Sequence, residues 1–333
     1  MNEDLKRTVD RIIPIREIDN VEILSLVDNS VDFLSTIDRK EVKSVRTWVR
    51  ERKGEKWVKE HFIPPVAEHG FSNLIRVFDK GNIHNILFDA GTNPVVILAN
   101  VGGMGLNLSE IETIVLSHGH YDHYGGLTAV LRRMNKDLPI IVHEDMFKTR
   151  GSAKPDGTII TGEIPEFPTE DQVKPARYVK TKRPYLLSDD TVLVTGEISR
   201  VTDFEKGVPQ QRALIDGKWQ PDPWIWDDRA IVVNVRKKGL VVISGCAHAG
   251  IINTTLYAQQ ITGITDVYAI TGGFHLAGKE YEPTITKTVE KLKLMNPKVV
   301  APSHCTGWRG IYAIAHALPQ AFVWNSVGNL YRF

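Results

Sequence analysis

The spacing of apolar residues changes several times along the chain, and each change marks an element. VEILSLVDNS (21–30) alternates and is β-branched, which predicts a strand ending at Asp28-Asn29. RKEVKSVRTWVRERKGEKWVKEHF (39–62) is charged and helix-prone until Pro64-Pro65 stops it. SNLIRVFDKGNIHNILFDAGTN (72–93) reads as two strands joined at Lys80-Gly81, the second closing on Asp89 and Gly91. IETIVLSHG (111–119) is a short buried strand, LTAVLRRMN (127–135) a helix and PIIVHED (139–145) another strand.

Regular spacing is lost over 146–190 and again over 198–228, which are expected to be long active-site loops. It returns with RAIVVNVRKKGLVVISGCAH (229–248), a hairpin turning at Lys237-Lys238-Gly239. Strand and helix patterns then alternate. LVVISGCAH leads to IINTTLYAQQI, DVYAITGGFHL to TITKTVEKLKLM, and KVVAPSHCTG to YAIAHAL. The strands close on His248, His275 and His304, so a layered α/β architecture delivers these three histidines at one sheet edge. A single domain over 1–333 is expected, with an N-terminal helical extension at about 1–20 and 35–65.

Charge narrows the partners. With 41 basic and 40 acidic side chains, no global field favours nucleic acid or an anionic membrane. The basic run through Arg46, Arg50, Arg52, Lys53, Lys56 and Lys59 reads as a solvated helix face. Two cysteines cannot build a disulfide framework, and the first residues are too charged for a signal peptide. No apolar run approaches the ~18 residues of a membrane span. The expectation is a cytoplasmic protein, possible as an oligomer, acting on a small anionic molecule.

SHGHYDHYGG (117–126) carries the chemistry. His118 and His120 lie two apart just beyond a strand, and Asp122 and His123 follow before a helix. Four donors this close serve one metal ion or divide between two. Helix capping would account for Asp122 but not for three clustered histidines. Imidazoles suit zinc or iron and the carboxylate also admits manganese, so one or two divalent ions are expected, zinc first.

HGHYDH resembles the H-x-H-x-D-H signature of the metallo-β-lactamase superfamily, whose fold is a four-layer αββα sandwich with metal at the sheet edges. EHGFSNLI (68–75), LFDAGTN (87–93), TGEISR (195–200), SGCAHAGIINT (244–254), TGGFHL (271–276) and SHCTG (303–307) look like one branch of it, which includes archaeal dihydropterin synthase-like enzymes of methanopterin biosynthesis. The resemblance implies His118 and His120 at a first ion, and Asp122, His123 and His304 at a second. It also implies a further histidine and a bridging aspartate, where this chain has Glu197 and Cys246; His248 is the expected replacement ligand at the first ion. Asp89 is expected to orient a ligand histidine.

His69 and His275 are candidates for substrate contact or proton donation, with Cys305 and His143 read as structural. Arg200, Lys206 and the N–H groups after Gly250 are candidates for an anionic group. Trp224 and Trp226 are expected to cover a planar ring or to anchor their loop. The expected activity is hydrolysis of a phosphorylated or cyclic small molecule, with Asp122 orienting the nucleophile and His275 donating a proton. The alternatives are a pterin-forming transferase and a non-catalytic metal-binding or sensor module.

Overall fold

A computed structural model describes residues 11–37, 39–161 and 165–333. Two large sheets lie face to face with helices on both outer surfaces. One sheet has eight strands, in the order Arg177–Lys180, Pro139–Val142, Thr113–Val115, Asn82–Phe88, Ser72–Asp79, Asn20–Val27, Leu330–Arg332 and Val42–Lys43. The other has seven, with Tyr185–Leu187, Val192–Val194, Ala230–Val235, Gly239–Ser244, Val267–Gly273 and Val299–Ser303 in that order and Glu17–Ile18 added beside Ala230–Val235.

Alternation along the strands builds the layers. Ile23 faces the opposite sheet while Leu24 faces the helices, and Val241 and Ile243 face inward while Leu240 and Val242 face out. The core is therefore three apolar layers. One joins the eight-stranded sheet to helices Val45–Lys53, Pro94–Gly103 and Leu127–Met134. One lies between the sheets. One joins the seven-stranded sheet to Ile251–Thr262, Ile285–Met295 and Gly307–Ala317. This is the expected four-layer αββα sandwich.

The strands Gly239–Ser244, Val267–Gly273 and Val299–Ser303 are parallel, as are Asn82–Phe88 and Thr113–Val115. Their C-terminal ends bring residues from both sheets to one edge.

Three expectations change. Residues 1–10 of the helical extension lie outside the described residues, and Glu17–Ile18 is a strand rather than helix. The charged 39–62 stretch begins as the strand Val42–Lys43 and then forms two helices, Val45–Lys53 and Glu55–His61, broken where Gly54 takes φ 84°. The supposed loops are more ordered than their composition suggested. Arg150–Ala153 and Ile159–Ile160 from the first join the hairpin Gln211–Ile215/Lys218–Pro221 from the second in a separate four-stranded sheet. Among the described residues, no helix is long and apolar enough to cross a membrane.

Candidate metal centre

Thr113–Val115 runs out at Ser117, and the chain then turns through His118, Gly119 and His120 into the short helix Tyr121–Tyr124. The turn is tight enough that a Cβ at Gly119 would stand 2.7 Å from Met146 Cα. The carboxylate of Asp227 accepts the Gly119 N–H at 2.8 Å, fixing the backbone between the two histidines. Arg150 in turn donates to Asp227 from both guanidinium ends.

Three ring nitrogens converge above this turn. His118 Nε2 lies 2.9 Å from His120 Nδ1, and His248 Nε2 lies 3.0 Å from the first and 3.1 Å from the second. The tautomer of His118 follows from its neighbours. Ser117 gives its hydroxyl hydrogen to Asp89 Oδ2 at 2.6 Å, so its oxygen accepts from His118 Nδ1 at 2.9 Å. The proton is then on Nδ1, and the Nε2 lone pair points into the triad. Burial first, and neighbouring charge second, pushes His118 and His248 well below the usual imidazole range; burial lowers His120 to about 4. Neutral imidazoles packed lone pair to lone pair fit a cation.

A second donor set lies beside the first. His123 gives Nδ1–H to Asp89 Oδ2 at 2.7 Å, which leaves its Nε2 lone pair 3.2 Å from Cys246 Sγ. Asp122 Oδ2 is 3.2 Å from His304 Nε2, 3.4 Å from His69 Nε2 and 3.8 Å from His123 Nε2. His304 Nε2 is buried, yet it makes no hydrogen bond despite that approach. Donors this close that share no well-directed proton match ligands of one ion. Burial opposes the Asp122 charge, but His123, His304 and His120 outweigh it and hold the carboxyl well below its usual range. His304 moves the other way, up to about 9, because Asp122, Cys305 and Asp28 outweigh its burial.

Backbone strain gathers at the same edge. Asp89, Ala247, His275 and His304 hold φ of 62°, 54°, 45° and 50°, a region that disfavours side chains with a Cβ.

His118, His120, Asp122, His123, His248 and His304 are thus brought together, with Cys246 among them, Asp89 behind them and His69 at the exposed rim. His275 packs against His248 with ring centroids 4.2 Å apart, and both its ring nitrogens are buried without a hydrogen-bond partner. His248 and His275 line one wall of a cavity of about 390 Å³, whose other walls include Phe204, Lys206, Tyr281 and Lys287.

Three expectations are corrected. Glu197 turns away from the donor sets and its Oε1 lies 3.3 Å from His143 Nε2. Arg200 is buried, donates to the carbonyls of Ile198 and Trp224, and lies 5.0 Å over the Trp226 ring, so it anchors its loop rather than facing the cavity. The N–H groups after Gly250 already hold an anion of the chain's own. Glu205 accepts from Ile252 N at 2.9 Å and Asn253 N at 2.8 Å, and burial raises its pKa to about 7.

Sequence reasoning missed Ser117, Arg150, Glu205, Asp227 and Asp228, which accepts from Ala249 N at 2.8 Å beside His248. Asp227-Asp228 had one visible signal, a pair of acids at the start of the strand-rich stretch after Trp226.

The sequence pattern described as the metallo-β-lactamase superfamily matches residues 67–259. The chain is 31% identical over 277 residues to the 7,8-dihydropterin-6-methyl-4-(β-D-ribofuranosyl)-aminobenzene-5'-phosphate synthase of Methanocaldococcus jannaschii, covering 80% of this chain and 90% of that one. It is also 31% identical over 265 residues to an uncharacterized protein of the same organism, covering 79% and 93%. A solved metal-dependent hydrolase of the β-lactamase superfamily superposes with a TM-score of 0.66 at 22% identity, covering 94% of this chain and 98% of that one. The pattern match over more than half of the chain and the relatives at nearly full length agree with the sandwich and its edge of histidines: the chain belongs to the metallo-β-lactamase superfamily.

Proposed function

We propose that the protein is a metal-dependent hydrolase of a phosphorylated small molecule. One observation carries this reading. The lone pairs of His118, His120 and His248 converge, and His248 is also in the wall of a cavity of about 390 Å³ that presents Lys206 and Lys287. His118, His120 and His248 would hold one divalent ion, and Asp122, His123 and His304 a second, with zinc the first choice. When bound, such ions supply an acidified water as nucleophile, its pKa lowered from 15.7 to about 7, and polarise the oxygen of the scissile group.

The side chains divide the remaining work. The Asp122 carboxylate, negative at neutral pH, orients the nucleophile by accepting its hydrogen. Lys206 and Lys287 attract the phosphate, Lys287 while also paired with Asp203 at 3.2 Å. His275, beside His248 on the cavity wall, donates a proton to the leaving oxygen from a ring nitrogen. The test is hydrolysis of p-nitrophenyl phosphate and bis-p-nitrophenyl phosphate by protein reconstituted with zinc, manganese or iron. Turnover is expected in the wild type and absent in His118→Ala; inactivity of every reconstituted form toward these and a wider set of phosphate esters rejects the reading.

A second reading has its own support, the 31% identity over 90% of the Methanocaldococcus jannaschii synthase. The protein would then join a dihydropterin pyrophosphate to a ribosyl-aminobenzene phosphate, the carbon–oxygen bond to pyrophosphate breaking as the new bond to the pterin carbon forms and a proton leaving the aminobenzene partner, rather than deliver water. Mass-spectrometric detection of the product named for that synthase, after incubation with the corresponding precursors, separates the two.

A further inference from the structure

The sulfur of Cys246 stands between the two donor sets. Its Sγ is 3.2 Å from His123 Nε2, the nitrogen whose lone pair Asp89 leaves free. Donor atoms of His118 and His123, of His248 and His275, and of His304 and Cys305 each form with Cys246 Sγ a group whose members all lie within 4.8 Å. Among the described residues, Cys246 belongs to three of five such groups, more than any other residue. These groups take in ligands assigned above to both ions.

The surroundings favour a ligand over a packing residue. Cys246 is only 3% exposed, and five imidazoles, those of His118, His123, His248, His275 and His304, bring a ring nitrogen within 4.8 Å of its sulfur. His304 Nε2, from the second-ion set, is buried without a hydrogen-bond partner. Cys305 is differently engaged: its thiol points at the Cys246 carbonyl oxygen at 3.4 Å. That close approach requires Gly273, where a Cβ would stand 2.8 Å from Cys305 Sγ and 2.3 Å from the Gly245 carbonyl oxygen.

We propose that Cys246 is a thiolate ligand shared by the two ion positions, standing between the first-ion histidines and the second-ion set. The inference rests on the metal-dependent reading above and adds a chemical selection to it. Binding breaks the S–H bond, forms the metal–sulfur bonds and releases one proton to solvent. A thiolate at this position selects zinc, cobalt or iron and disfavours magnesium and calcium, which take oxygen ligands.

The experiment uses the full chain, stripped with chelator and reloaded with zinc or cobalt. X-ray absorption at the zinc edge is expected to show sulfur at about 2.3 Å alongside nitrogen. Cobalt titration is expected to raise a thiolate-to-cobalt charge-transfer band that keeps growing through the second equivalent. Both signals should vanish in Cys246→Ser and persist in Cys305→Ser. A loaded wild type without sulfur, sulfur retained in Cys246→Ser, or sulfur lost in Cys305→Ser overturns the assignment. Saturation of the band at one equivalent, with a second ion still binding, overturns the sharing. If Cys246→Ser fails to fold, the wild type and Cys305→Ser decide. Failure to bind any metal defeats the hydrolase reading itself, whereas two bound ions without sulfur defeat this inference alone.

Discussion

Asp89 Oδ2 lies 2.7 Å from His123 Nδ1, both side chains fully buried. Asp89 is also the acceptor for the Ser117 backbone N–H and hydroxyl, each at 2.6 Å. One carboxylate therefore sets the tautomer of His123 directly and that of His118 through Ser117, aiming one lone pair into each donor set.

Asp89→Asn tests this control. The amide either turns its NH₂ toward His123 Nδ1, moving the imidazole proton to Nε2, or loses the second acceptor needed by Ser117. Metal affinity is expected to fall about 10–100-fold, the usual cost of removing an outer partner of a ligand. Competition against a chromophoric chelator measures it, and an unchanged affinity would remove Asp89 from the centre.

The strands were readable because each keeps its period, Ile23 and Leu24 separating onto opposite faces as do Val241 and Val242, whereas the four-layer arrangement was implied by the resemblance that HGHYDH carries. Consecutive motif residues such as His118 and His120 were legible for the same local reason. What stayed hidden depends on distant chain meeting in space. Asp227 supports Gly119 from 108 residues away, and Glu205 caps a helix 47 residues further on. Glu197 misled because its place in TGEIS fixed where its backbone runs but not that its carboxylate would find His143. The segments 146–190 and 198–228 looked irregular because their strands are only two to five residues long: Arg150–Ala153, Ile159–Ile160, Gln211–Ile215 and Lys218–Pro221 pair with one another, while Arg177–Lys180 and Tyr185–Leu187 add to edges of the large sheets.

His248 and Glu197 make a paired comparison, since both stood as candidates at the first ion. His248→Ala removes one of three converging nitrogens and is expected to cost one bound ion per chain and nearly all turnover. Glu197→Gln should keep the full metal content and lower stability by about 1–2 kcal/mol through its weakened contact with His143. Elemental analysis of dialysed protein with urea denaturation reads both, and loss of metal from Glu197→Gln would contradict the geometry.

Arg150 and Asp227 form a buried pair, their side chains 7% and 0% exposed. Burial opposes both charges, but each holds the other ionised, lifting the Arg150 pKa further and pushing Asp227 well below its usual range. Arg150→Met strands the Asp227 carboxylate and is expected to cost about 3–5 kcal/mol. Because Asp227 also holds Gly119 N, metal affinity should fall as well. Denaturation with and without metal separates the two effects, and a loss under 1 kcal/mol would show that Asp227 finds other partners.

Glu205 gives the fold a pH dependence of its own. Burial raises its pKa from 4.5 to about 7, against the opposing pull of Ile252 N, Asn253 N and Thr202. The folded state therefore binds this proton more tightly than the unfolded chain. The stabilisation is fully present below about pH 4.5, declines as pH rises, and is gone above about pH 7. Its size is about 3 kcal/mol at the acidic end, from about 1.36 kcal/mol per pKa unit. Glu205→Gln cannot ionise, so its stability relative to the wild type should rise across that window. Urea denaturation of the metal-free proteins at closely spaced pH values measures the difference, and titration of the ligand histidines common to both largely cancels. A difference that stays flat from pH 4.5 to pH 7 would mean that the helix N–H groups keep Glu205 ionised despite its burial.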